Sequence, residues 1–142
     1  MYLSVHAKAA NAYRNVGAVT KVDGATPGQL LNLLFESLHT QLVRARKAID
    51  EKNIPDKGQA LGKAVRILDE GLKAALNKNS NDQITGSLSD LYDYCAKLLT
   101  QANLYNDPLP INEVLKLIGP IADAWKQIGL QEAQQVRATE LA

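Results

Sequence analysis

The prolines and polar turn strings decide what this chain can become. Thr26-Pro27 offers a side-chain cap and then a proline at the first helical position, where a missing N–H costs nothing. Asn53 and Ile54 make a short link, and Pro55 opens the next helix with Asp56 in its first turn, facing the positive end of the helix dipole. NKNSND, Asn77 to Asp82, is turn chemistry in which either Ser80 or Asp82 caps the third helix. NDPLP, Asn106 to Pro110, ends that third stretch. Between these breaks the apolar residues recur at helical spacing, and no segment alternates as a strand would. The reading is therefore helix from Thr26 to about Lys52, from Pro55 to about Asn77, from the NKNSND turn to about Tyr105, and from the NDPLP break through Ile128. Pro120 falls inside the last helix and is expected to kink it, because it removes a donor and crowds the preceding turn.

Short links make consecutive helices antiparallel, so the fold class is all-α, an antiparallel up-and-down four-helix bundle. At 1.5 Å per residue its two longest helices span roughly 35–40 Å. Ahead of the bundle, Tyr2, Val5, Ala9, Tyr13 and Val16 keep helix-like spacing, which predicts an additional N-terminal helical segment packing on it. One domain of three parts results: a capping segment and loop at 1–25, the bundle at 26–129, and a tail at 130–142 left open between helix and flexible chain.

The apolar faces are wider than a bundle needs. In the third helix Ile84, Leu88, Leu91, Cys95, Leu98, Ala102 and Tyr105 form a seam, and Tyr92, Leu99 and Tyr94 broaden it to an arc of about 160°. The first helix, from Leu30 to Ile49, spreads its apolar residues over roughly 200°, against a little over ~100° for an ordinary bundle helix. Two accounts stand at this point. An extra segment wrapped on the bundle would bury more of each helix. A groove for a partner's amphipathic helix would need the same surplus.

Chemistry is sparse. The net charge is +1 from 16 basic and 15 acidic residues, and the densest basic run, Arg44 to Lys47, is followed by Asp50 and Glu51. That is a solvated helix face and disfavours a nucleic-acid partner. No apolar run reaches the ~18 residues of a membrane span, and the N-terminus lacks a signal-peptide core, so the expected location is the cytoplasm. A single cysteine forms no intrachain disulfide. Cys95 falls mid-seam among leucines, where a buried thiol is held protonated and inert. His6 and His39 show no metal-ligand spacing, no phosphate-binding glycine loop is present, and no metal, cofactor or catalytic group is expected. His39 lies opposite the apolar arc, so an exposed phosphotransfer histidine is one alternative reading. A structural bundle that dimerises by swapping its N-terminal segment is another.

The run LYDYCAKLLTQANLYND, followed by INEVLKLIGPIADAW, resembles the signature of the flagellar export chaperones that bind flagellin, the FliS family. The resemblance is carried by Leu91, Tyr92, Asp93, Tyr94, Leu98, Ala102, Asn103, Asn106, Asp107 and Trp125, and earlier by Tyr13, Ala25, Pro27, Leu30, Leu34, Phe35 and Glu36. Ser37 stands where the family often has glycine, the loop from Tyr13 to Pro27 is long, and the tail after Gly129 matches no part of the pattern.

Such a resemblance implies a catalytically inert cytoplasmic chaperone of a flagellated bacterium. Its partner would be the C-terminal helical segment of flagellin, kept from polymerising early and delivered to the type III export gate at the membrane. The chaperone's own N-terminal segment would cover part of that surface when flagellin is absent. The expected groove residues are Leu31, Phe35 and Leu38 from the first helix, Val65, Leu68 and Leu72 from the second, and Tyr92, Tyr94 and Leu99 from the third. Tyr13 and Asn103 join them from the motif, and Phe35, Tyr94 and Leu99 are expected at outer positions.

Overall fold

The computed structural model describes residues 25–76 and 83–141, so the expectations for the N-terminal segment and for the NKNSND turn lie outside the described residues. The described residues form four long helical elements and no strand: α1 (Pro27–Asp50), α2 (Ile54–Arg66, continued by a π-helical stretch Ile67–Lys73), α3 (Gln83–Tyr105) and α4 (Leu109–Leu141). Each α1–α2, α2–α3, α3–α4 and α4–α1 pair is in contact, whereas the backbones of α1 and α3 stay apart across the diagonal. The helices thus stand at the corners of a square. Cross-helix bonds fix their directions. Arg46 at the end of α1 meets Asn112 at the start of α4, and Gly28 at the start of α1 meets Glu132 far along α4. Lys57 meets Asn103 and Asn106, while Lys73 meets Asp93, so α2 and α3 also run antiparallel.

The start of α1 follows its residues. The Thr26 hydroxyl accepts from Gln29 N at 3.1 Å, and the Gln29 side chain accepts from Thr26 N at 2.9 Å. This reciprocal box satisfies two donors that the helix leaves unpaired. At the other end Lys52 adopts φ 57°, Asn53 N donates to Ala48 O at 2.8 Å, and Lys52 N donates to Ile49 O at 3.1 Å. That is the Schellman termination, here built on lysine instead of the usual glycine. Asn53 then caps α2, its side chain accepting from Asp56 N at 3.2 Å. One residue ends a helix and begins the next. The chain repeats the turn at Asn106, whose φ is 52°, with Asp107 N donating to Ala102 O at 3.1 Å.

One feature was not expected. The second helix changes winding at Ile67, although its buried residues, Ala60, Leu61, Ala64, Leu68 and Leu72, keep the spacing of an α-helix. The tail that the sequence left open between helix and flexible chain is helical: α4 runs through Pro120 and on to Leu141. The extension is docked. Gly28 and Gly129 bring α1 and α4 together, since a Cβ on Gly28 would sit 2.9 Å from the Glu132 carboxylate and one on Gly129 would sit 3.5 Å from the Gly28 backbone. Gly28 N donates to Glu132 Oε2 at 3.1 Å, which places a carboxylate at the positive end of α1.

Candidate functional site

The two ends of the bundle are packed differently. At the end holding the α1–α2 and α3–α4 links, large side chains from every helix are sealed: Leu42, Leu61, Leu99, Ile111 and Val114 are at most 2% exposed. Lys57 is buried there too. Its ammonium donates to Asn103 O at 2.9 Å and to the Asn106 side chain, placing a cation on the negative end of α3.

Toward the other end, α1 and the π-helical stretch keep their buried faces, whereas α3 and α4 are covered only in part. No residue of α3 before Tyr92 is buried, and none of α4 between Ile118 and Gly129. These stretches are nevertheless rich in large apolar residues. The Tyr94 hydroxyl donates to Glu113 Oε1 at 3.0 Å and sets the antiparallel register of α3 and α4. Outward from that bond, Leu91, Leu88 and Ile84 run along α3 as Leu117, Ile121 and Trp125 run along α4. All but Ile84 are half-buried and rest on the core, and Ile84 is 65% exposed. Together they leave a partly covered apolar surface on α3 and α4, the candidate cleft, resting on the central core. Folding has removed only part of this surface from water, so a ligand covering it gains the remainder, roughly 25 cal/mol per Å² of apolar area.

The expected groove residues fall mostly beneath this surface. Leu31, Phe35, Leu38, Leu68, Leu72, Tyr92 and Leu99 all belong to the core cluster, and Val65 is half-buried against it. Phe35 and Leu99 therefore correct the expectation of outer positions: they are 3% and 0% exposed. The wide arc of α1 is largely consumed within the chain, because α1 packs against α2, its π-helical continuation and α4. Tyr94 does stand outside, 47% exposed, on the rim of the cleft. Asn103 is exposed at the sealed end, where its carbonyl serves Lys57. Tyr13 lies outside the described residues. Sequence reasoning missed Leu117, Ile121 and Trp125 as candidates. It took Leu88 and Leu91 as ordinary seam, since periodicity says which way a side chain points and not how near the next helix comes.

Electrostatics fit a binding surface better than a reactive one. Burial pushes the Cys95 thiol up to about 11 and the Tyr92 phenol up to about 12, so both are held neutral. The bond to Glu113 raises Tyr94 above its ordinary value. Lys73 is raised by its bond to Asp93 at 2.8 Å, which ties the π-helical stretch to α3 beside the cleft. Among the described residues no group of His, Cys, Asp and Glu could hold a metal ion, and no helix is long and apolar enough to cross a membrane. His39 is exposed on α1, on the side away from the cleft walls.

Comparison with known proteins bears on what fills such a cleft. The family described as "Flagellar protein FliS" matches residues 9–132. The chain is 45% identical over 117 residues to the flagellar secretion chaperone FliS of Salmonella typhimurium, covering 82% of this chain and 87% of that one. It is 40% identical over 121 residues to the protein of the same name from Escherichia coli, covering 85% and 89%. Against the Bacillus subtilis protein it is 35% identical over 106 residues, covering 75% and 77%. The match takes in all of α1, α2 and α3 and most of α4, including every residue that walls the cleft, and the chain belongs to the FliS family of flagellar proteins.

Proposed function

We propose that this chain is a flagellin export chaperone whose α3–α4 cleft holds helical turns from the C-terminal segment of flagellin. The single observation that carries the reading is the run of half-buried Leu88, Leu91, Leu117, Ile121 and Trp125 on α3 and α4, resting on the core, in a chain whose relatives are named flagellar secretion chaperones. An amphipathic helix laid along that run completes the burial that folding leaves unfinished. Flagellin's own apolar helical segment is covered in the same step, so neither partner offers that surface to a growing polymer. The chaperone acts in the cytoplasm and hands the subunit to the flagellar type III export gate.

No chemistry is needed for this, and the arrangement supplies none. A client that folds as it binds loses chain entropy, which a long apolar contact offsets better than one point of attachment. The test is co-purification with full-length flagellin and with flagellin lacking its C-terminal segment. The full-length protein is expected to be retained and the truncated one lost. Equal retention of both contradicts the reading.

A further inference from the structure

The last turns of α4 reach past the start of α1. Gly28, near that start, is level with Glu132, to which it donates at 3.1 Å, so residues 133–141 overhang α1 by about 13 Å at ~1.5 Å per residue. The family match ends at residue 132, and the overhang lies outside it. On its inner side is a hollow of about 360 Å³, with Thr26 at its foot and Glu132, Gln135, Val136, Thr139 and Glu140 along its wall. Steps of three and four residues put the α4 members on one face. The same steps lead back through Ile128 and Trp125 to Ile121, so the face that walls the cleft runs on into the overhang.

What covers this face follows from where the chain comes in. Because α1 and α4 are antiparallel, the backbone enters α1 at the end from which the overhang projects. Thr26 is itself part of the hollow, so the residues before it are tethered to that rim. Fully extended, Val22 reaches at most ~14 Å from Thr26, and Lys21 at most ~17 Å. Val136 and Glu140 lie only about 6 and 12 Å beyond Glu132 along the helix. Charge agrees with reach. Among the described residues the hollow's lining holds two carboxylates, Glu132 and Glu140, and no cation. Residues 14–24, RNVGAVTKVDG, carry Arg14 and Lys21 against the single acid Asp23, with Val16, Val19 and Val22 among them. Val136, 49% exposed, is the apolar spot that such valines can cover.

We propose that the overhang of α4 is the dock for residues 14–24 of this same chain, with Val22 against Val136 and Lys21 at Glu140. The short tether to Thr26 keeps the effective concentration of that strap high, so a modest contact suffices to hold it. The contact also sets a boundary, since whatever lies along Ile121 and Trp125 meets the chain's own strap beyond Glu132. The proposal needs no client and stands without the chaperone reading.

The experiment uses full-length double-cysteine variants treated with oxidised glutathione, with bonds within one chain and between two chains told apart on a non-reducing gel. Cys95 is buried and stays out of the exchange. Val22→Cys with Val136→Cys is expected to close within one chain about 10-fold faster than Val22→Cys with Ala138→Cys, whose second position is near along the helix but on its opposite face. Equal rates, or a bond formed mainly between two chains, overturn the proposal. A second variant needs no new thiol. Glu140→Gln is expected to speed tryptic cutting after Lys21 about 2- to 5-fold at low salt, and less at high salt, with the helical circular dichroism unchanged. An unchanged cutting rate at low salt counts against the dock.

Discussion

Ile111 and Ile121 sit ten positions apart on the same helix and live in different environments. Ile111 is fully buried among side chains of the sealed end, whereas Ile121 is half-buried on the wall of the cleft. The same contrast separates the two halves of α3, where Leu99 is fully buried and Leu88 only half so. The central core secures the fold, and the outer stretches of α3 and α4 leave apolar surface for use. A protein that must hold an unfolded client needs both, since a uniformly sealed bundle offers nothing to bind and a uniformly open one has no core.

The strongest way to break this comparison is to truncate both isoleucines. Ile111→Ala is expected to cost about 2–5 kcal/mol in denaturant unfolding, the usual range for a filled core site. Ile121→Ala should cost about 1 kcal/mol of stability but weaken flagellin binding by about 2 kcal/mol, read by calorimetry. Equal losses of stability at the two sites would mean that the ends do not differ.

Lys57 gives the next largest effect. Replacing it with Met leaves the Asn103 carbonyl and the Asn106 side chain without their cation, and should cost about 1.5–3 kcal/mol while leaving binding at the far end unchanged. Lys52→Gly tests the turn itself. Its φ of 57° suits glycine, so the variant should gain about 0.5–1 kcal/mol and melt a few degrees higher.

A smaller effect concerns acid. Asp56 is bonded to Arg44, which holds its carboxyl below the usual carboxylate value. Its contribution is fully present above the unfolded value of 3.8 and is lost as pH falls through the depressed folded value. Because the pair is exposed, Asp56→Asn should flatten the acid limb of the stability curve only slightly, and less still in high salt.

Much of the fold was legible in the sequence, for local reasons. Thr26, Pro27, Asn106 and the proline-bearing breaks act on residues a few positions away, so the chain states where its helices start and stop. Lys57 and Glu132 were invisible because their partners lie 46 and 104 residues off. The candidate site was legible only in kind. Surplus apolar surface suggested a surface for another chain, and it was assigned in part to Phe35 and Leu99, which this chain covers itself. How much of Leu88, Leu91, Leu117, Ile121 and Trp125 stays uncovered depends on tertiary packing, which no periodicity encodes. The π-helical stretch escaped notice for a related reason, since its apolar residues keep α-helical spacing through the change of winding.

Trp125 is the chain's single tryptophan and stands half-buried on the cleft wall, which makes it a built-in reporter of the central claim. Titrating the full chain with a tryptophan-free peptide of the flagellin C-terminal segment should shift its emission to the blue in a saturable curve that tracks binding measured by calorimetry. Calorimetric binding with unchanged Trp125 emission would place the client elsewhere on the bundle and contradict the account.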